Sequence, residues 1–391
     1  MITREKITAS FKSVPLGEAV EFLDYLRRPV KEESRTPGPY PYYGANGQQG
    51  TIDRYLFDED IILLAEDGGH FENPSRGIAY FVSGKCWVNN HAHVLRPKSG
   101  FDIRFLTRVL ENYNVVPFVT GTTRGKLTQA GAAKIPIPLL PLDYQRRIAA
   151  ILDQADVLRE RRRKAVERAS RLAQAIFIST FGDWSRPNHG IPLVKLGPNL
   201  DFLTSGSRGW AEYYRDAGSL FLRIQNVRYD ELDLTDIAYV SPPHSAEARR
   251  TRVQPGDVLL SITADLGRTA VVPKEIGEAY INQHLALIRT RAFDPRFLSA
   301  ALASPAGQKI IRSKNREAVK AGMNFDDIKS IEVPDVSREA QCAFARSAAK
   351  AGAILYKARE HLAATDQLFL ALQNQLFGDS VPTQDLKMAA E

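Results

Sequence analysis

LDYQRRIAAILDQADVLRERRRKAVERASRLAQAIFISTF, residues 142–181, runs about forty residues without a proline or a glycine. Ile148, Leu152, Ala155, Leu158, Ala165, Ala169, Leu172 and Ile176 recur in it at three- and four-residue steps. That period describes an amphipathic helix with one stripe to bury. At a rise of ~1.5 Å per residue it is roughly 55–60 Å long, more than one ordinary domain core covers. A rod of that length needs a partner, and the chain carries a second one.

From Ser330 to Gly378 the sequence echoes Lys134 to Gly182 without a gap. Pro138 matches Pro334, Gln145 matches Gln341, Arg163 matches Arg359, Leu172 matches Leu368, and Phe181-Gly182 matches Phe377-Gly378. Each pair stands 196 positions apart (334 − 138, 341 − 145, 377 − 181). The second copy is expected to bury Phe344, Ala348, Ala351, Leu355, Leu362, Leu368, Leu372 and Leu376. Both copies open on a proline-bearing extended segment, IPIPLLP and IEVPDVS, and close at Phe-Gly, where glycine suits a left-handed helix cap.

The stretches before the helices repeat more loosely. Trp87-Val88-Asn89-Asn90-His91 lines up with Tyr280-Ile281-Asn282-Gln283-His284, Leu16-Gly17 with Leu196-Gly197, and Asp60–Leu64 with Asp257–Leu260. The period is too long for a solenoid. It describes a duplication: globular domain, long helix, globular domain, long helix.

With 391 residues, 44% of them hydrophobic, each half can bury a core. A formal charge of +7 and pI of 9.2 suit a polyanion partner without demanding one. Cys86 and Cys342 are too far apart for a metal knuckle and fit a reducing compartment. The opening MITREKITASFKSVP lacks the apolar core of a signal peptide, and no eighteen-residue apolar window occurs. A soluble, cytoplasmic protein with no membrane partner is expected.

Residues 1–133 and 193–325 share a β-rich style. Short β-branched or aromatic runs, such as Ile61–Ala65, Gly77–Val82, Trp87–Leu95, Leu220–Ile224, Asp257–Ile262, Thr269–Val272 and Ala279–Ile288, alternate with Gly, Pro, Asn and Asp. Helices are expected at Asp102–Asn112, Pro295–Leu302 and Pro305–Ser313. The domain order is then 1–133, a helix region 134–182, a linker 183–192, a second domain 193–329, a helix region 330–378 and a disordered tail 379–391. The fold class is α+β, with two β-rich domains separated and joined by two long antiparallel helices forming a coiled coil.

Catalytic signatures are missing. Gly121-Thr-Thr-Arg-Gly-Lys-Leu is too short for a phosphate loop and lacks its closing Ser/Thr. Ser241-Pro-Pro-His244 lacks the aromatic of the amino-methyltransferase motif and reads as a Pro-Pro turn. His91 and His93 share a strand face without a nearby third ligand, so no metal site is expected. The chain is expected to perform no chemistry of its own and to hold no cofactor or metal.

Features suited to DNA occur in both halves. Asn and Gln pair bidentately with adenine and Arg with guanine, while Lys, Arg and hydroxyls grip phosphates. In the first half the candidates are Tyr42, Tyr43, Asn46 and Gln48 in a polar-aromatic loop, with Thr122, Thr123, Arg124 and Lys126. A tight turn capped by aromatics explains the same residues structurally. In the second half they are Ser205, Ser207 and Arg208; Arg223, Gln225 and Asn226; Arg268; and Arg312, Lys314, Asn315, Arg316 and Lys320. The last set also fits a solvated helix face, and Arg159–Lys164 reads more readily as the wet face of a coiled coil.

Tyr42-Tyr43-Gly44-Ala45-Asn46-Gly47, Gly256-Asp257-Val258-Leu259-Leu260-Ser261 and Ile281-Asn282-Gln283-His284, with the helix openings at Pro141–Ile151 and the Phe-Gly closures, carry a resemblance. Over about residues 14–378 the chain resembles the specificity subunit of type I restriction–modification systems. The resemblance implies two target recognition domains, each reading half of a split duplex-DNA site, and a coiled coil that acts as a ruler between them. Heads roughly 50 Å apart would address half-sites one to one-and-a-half turns apart, at ~34–36 Å per turn. It also implies two modification subunits on the coiled coil, bringing S-adenosylmethionine and methylating adenine. A motor-nuclease restriction subunit would bring ATP and Mg. The second helix is richer in alanine and less charged than the first, so the two need not dock partners equally. The unlike loops imply an asymmetric site. A stand-alone duplex-DNA-binding regulator, or a coiled-coil scaffold that binds protein and not DNA, fits part of the same pattern.

Overall fold

Ile61–Ala65 is a run of five apolar residues, all of them buried. Runs of that kind form strands covered on both faces. This one pairs antiparallel with Ala79–Val82 and Ala92–Pro97, and Val20–Phe22 completes a four-stranded sheet. The second half repeats it. Val258–Ser261 lies between Thr269–Val271 and Leu285–Arg289, with Phe202–Ser205 at the edge. A second four-stranded sheet accompanies each, and each contains one parallel pair: Tyr40–Gly44 with Lys85–Val88, and Ser219–Leu222 with Ala279–Ile281. The duplication seen as matched letters is a duplication of topology.

The structure, a computed structural model, describes residues 12–73, 76–121, 125–186, 190–206, 208–315 and 322–377, with side chains as far as 373. The expected disordered tail lies outside these residues. The chain divides into two compact units, Met1–Arg162 with His361–Glu391, and Arg163–Glu360. None of the described helices is long and apolar enough to cross a membrane.

Each head closes in a helix whose N-cap is an aspartate. Asp102 caps Ile103–Glu111 by accepting from the Phe105 N–H, and Asp294 caps Pro295–Ala303 from Arg296 and Phe297. A two-stranded ribbon then leads to each long helix: Ser13–Pro15 with Pro136–Pro138, and Leu193–Lys195 with Glu332–Pro334. The segment 183–192, expected as a linker, packs at Trp184. Trp184 is 2% exposed and edges onto Phe177 at 5.6 Å.

The second rod, Arg338–Phe377, is one unbroken helix, whereas the first divides at Arg171 into Leu142–Ser170 and Leu172–Phe181. Ser170 Oγ donates back to the Glu167 carbonyl at 2.8 Å, and the Arg171 N–H bonds Arg168 in a tighter, three-residue turn. Back-bonding serines bend helices in this way.

The buried stripe departs from the expected one. On the first rod it runs Gln145, Ala149, Leu152, Ala169, Phe177 and Phe181, while Leu158 is 38% exposed. On the second it runs Gln341, Phe344, Ala348, Ala351, Thr365, Phe369 and Gln373, and Leu368 is 51% exposed. Between Leu152 and Ala169 the partly buried positions of the first rod include Asp156, Arg159 and Arg162. Arg159 donates to Asp366 at 2.7 Å and lies over the Phe369 ring at 4.2 Å, and Arg162 faces His361 at 3.5 Å. Arg159 and Arg162 therefore belong to the helix contact and not to a wet outer face. Partner numbers fall as the first helix advances, the order of antiparallel helices. In the other unit Phe177 packs on Phe344 at 5.1 Å.

Candidate nucleic-acid interface

In the first head the polar-aromatic stretch at 40–50 is not a loop but a β-hairpin, Tyr40–Gly44 against Gly47–Ile52 with a bulge at Tyr42/Tyr43. Asn-Gly at its tip permits the turn, with Gly47 at φ 106°. Strand alternation then sorts the side chains. Tyr42 is 1% exposed, packs with Ile52 and Trp87, exchanges hydrogen bonds with the Val30 backbone and lies under the Arg35 guanidinium. It holds the hairpin up and has no free face to read with. Tyr43 is half-buried beside Tyr80, whose hydroxyl donates to the Gly44 carbonyl. Burial pushes the Tyr43 phenol up.

Asn46 and Gln48 project at the tip and are exposed. Asn46 Nδ2 donates to the Gly68 carbonyl at 2.9 Å, and Gln48 Nε2 bonds only locally, to Gly50 at 3.1 Å. The Asp67–Gly68 turn below them bridges to Lys126, so Asn46, Gln48 and Lys126 lie around one turn. Lys126 Nζ meets Glu66 at 2.8 Å, and Arg27 reaches the same carboxylate at 2.6 Å. Burial alone would raise the Glu66 carboxyl, yet the bonds from Lys126 and Arg27 hold it below its usual range. The Glu66 bond in turn raises Lys126. Asp24, Glu66 and His93 cluster closely enough for a cation, but Arg27 already pairs with both acids. Thr122, Thr123 and Arg124 lie outside the described residues.

The repeated Asn-x-His motif has one geometry in both heads. The Asn89 Oδ1 accepts from the His91 N–H at 2.8 Å, and the Asn282 Oδ1 from the His284 N–H at 3.1 Å. Each turn follows the strand of the parallel pair. In the first head Asn89 Nδ2 donates to Gln49 Oε1 at 3.0 Å, and His91 Nδ1 meets Asp67 at 2.5 Å. Gln49 and His91 therefore join the surface around the hairpin. The motif was visible as a repeat, and repetition alone did not mark it as part of a site.

In the second head the corresponding turn carries Gln283 and His284, with His284 Nδ1 on Thr263 Oγ1 at 2.5 Å. Gly206 passes so close that a Cβ there would stand 2.1 Å from the Asn282 carbonyl, which brings Ser205 and Arg208 alongside. Ser205 is half-buried and its carbonyl accepts from Arg250 at 2.8 Å, while Arg208 is exposed. Ser207, Arg316 and Lys320 lie outside the described residues. Asn315 Oδ1 accepts from the Gly322 N–H at 3.2 Å, and Gly322 bridges to Thr263, which ties Lys314 and Asn315 to the His284 turn. Arg312 is exposed one turn before.

The four remaining candidates bond within their own loops. Asn226 is 1% exposed and donates to the carbonyls of Asp233 and Asp236. Arg223 and Gln225 both bond Asp236, and Arg268 pairs with Asp265 at 2.5 Å. Arg249, Arg250 and Arg252 add a basic helix end that sequence reading passed over.

Residues 9–168 match the type I restriction modification DNA specificity domain. A Haemophilus influenzae protein named as a type I restriction enzyme specificity subunit is 41% identical over 145 residues, 37% of this chain and 37% of that protein. Residues 9–168 thus carry the sequence pattern of that specificity domain, and the first part of the chain is similar to type I specificity subunits. The Escherichia coli EcoBI specificity subunit is 27% identical over 128 residues, 32% of this chain. These alignments span about a third or less of each relative, 37% and 26% of their lengths. The fold extends further. The crystal structure of the type I restriction–modification S subunit from M. genitalium aligns over 97% of this chain and 100% of its own, with a TM-score of 0.59 at 16% identity. A chain from a structure of type I restriction–modification complex assembly aligns over 95% of this one with a TM-score of 0.57.

Proposed function

We propose that this chain is a type I specificity subunit, the non-catalytic DNA-reading subunit of its complex. It reads an asymmetric, split duplex-DNA sequence with two target recognition domains, residues 1–133 and 193–329. The observation that carries the proposal is one topology presented twice, with the same Asn-x-His turn and different exposed side chains around it. Asn46, Gln48 and Gln49 offer amides in the first head, while Arg208, Gln283 and Arg312 offer another pattern in the second. Amides suit adenine edges and guanidiniums suit guanine or phosphate. Unlike surfaces on like scaffolds read unlike half-sites.

The long helices act as an antiparallel coiled-coil ruler and as the platform for two adenine-methyltransferase subunits. Tyr144, Ile151, Val157 and Ile178 on the first rod and Ile354 and Tyr356 on the second are exposed and available to a docked partner. S-adenosylmethionine, ATP and Mg come with the modification and restriction partners. The purified complex with its modification subunits should methylate one bipartite sequence in a mixed DNA library. Methylation of adenines without regard to sequence would refute the proposal.

A further inference from the structure

Gln145 and Gln341 occupy the same step of the duplication and are 0% and 3% exposed. The Gln145 Oε1 accepts from the Asp102 N–H at 2.8 Å, and its Nε2 donates to the carbonyls of Gly100 at 2.9 Å and Leu140 at 2.8 Å. The Gln341 Oε1 accepts from the Asp294 N–H at 2.7 Å, and its Nε2 donates to Val336 at 3.1 Å. Asp102 and Asp294 are the caps of the helix that closes each head. The first turn of each long helix thus grips the cap of its own head.

A primary amide offers donors and acceptors in one plane, so bonds in opposite directions fix both distance and rotation. Leaving them unmade strands buried backbone groups, which resists slippage. The other ties between head and helix differ. The first head adds Arg108, bonded to Asp153 at 2.7 Å and to Asp156. At the matching places the second half has Ala300 and Ala349, and it uses instead a pair between Arg359 and Glu231. The amide clamp is a side-chain tie to the helix that both heads share.

We propose that Gln145 and Gln341 are positioning residues that set the phase of each head on its helix, and so the number of base pairs between the half-sites. Arg108 reinforces that setting in the first head. The proposal rests on the two heads reading one split site. One base pair is ~3.4 Å of rise and roughly 35° of turn, so a modest rocking of a head addresses a neighbouring spacer.

The test is long-read mapping of methylated adenines in cells expressing the full chain with its modification subunit. Gln145→Met and Gln341→Met keep the volume and remove the bonds. Both half-site sequences should persist, with sites one base pair shorter or longer methylated at least about five-fold above the wild-type level. A merely structural glutamine would lower methylation at every site and leave one spacer. If the methionine variants fail to assemble, Arg108→Gln, which spares the buried amide, should broaden the spacer to a lesser degree. A split wild-type motif whose spacer is unmoved in the assembled variants overturns the proposal alone. A wild type that directs no split motif overturns the reading of the heads and the clamp with it.

Discussion

Glu66 is the node of a charge cluster beneath the hairpin of the first head, and removing it should cost far more stability than removing its half-exposed partner Lys126. Its side chain is 11% exposed and pairs with Arg27, 13% exposed, and with Lys126, 49% exposed. Breaking a buried pair strands a desolvated charge and costs roughly 3–5 kcal/mol. Glu66→Gln should fall at the low end, about 3 kcal/mol, because Asp24 still faces Arg27. In a unit of this size that is a melting shift of about 6–12 °C. Lys126→Met breaks a half-exposed pair and should cost at most ~1 kcal/mol. The same substitution should weaken DNA binding and flatten its salt dependence by about 0.9 in the log–log slope if Lys126 neutralises a phosphate. Because the Glu66 carboxyl is held below its ordinary value of 4.5, its stabilisation is complete above that value and is lost as pH falls through the depressed one. The gap between wild type and Glu66→Gln should therefore be full at neutral pH and close below about 4.5. Thermal melts of both variants with salt-titrated binding check this. Equal destabilisation by the two, or a Glu66→Gln shift under about 2 °C, would refute the buried-node account.

Three further outcomes are expected. Asn46→Ala or Gln48→Ala should relax discrimination at one half-site by roughly 1–3 kcal/mol and leave the other intact, measured by methylation of site libraries. Exchanging residues 193–325 for another head of the family should change one half-site only, and a change in both would break the modular account. Burial pushes the Asp230 carboxyl from 3.8 up to about 7, so between those values the folded chain holds a proton that the unfolded chain has lost. Stability should fall as pH rises from about 4 to about 7 and then level off, and Asp230→Asn should remove that slope. Asn tolerates the left-handed backbone at φ 63° that residue 230 adopts.

The duplication, both rods and the helices at 102–112, 295–302 and 305–313 were legible because period and spacing are local properties of the chain. The Ile61–Ala65 and Val258–Ser261 strands were legible for the same reason. The surface was less so. Tyr42 shares one polar-aromatic stretch with Asn46 and Gln48. The hairpin's alternation, signalled by Asn46-Gly47, puts Tyr42 in the core and leaves the amides outside. Helical spacing points Leu368 inward, yet Thr365 and Phe369 take the inner face. Asn226, Arg223 and Gln225 looked like readers because of their chemistry. Their bonds to Asp233 and Asp236, set by a loop that sequence does not fold for the reader, make them fasteners. Gln49 and His91 came into view only through contacts distant in sequence.

The most direct test of the central claim is long-read mapping of adenine methylation in cells that carry a type I modification subunit able to assemble with this chain, with and without the chain. The account predicts a single split motif, with two different half-sites at a fixed spacer, present only when the chain is expressed. An assembled complex whose methylation pattern does not depend on the chain would contradict it.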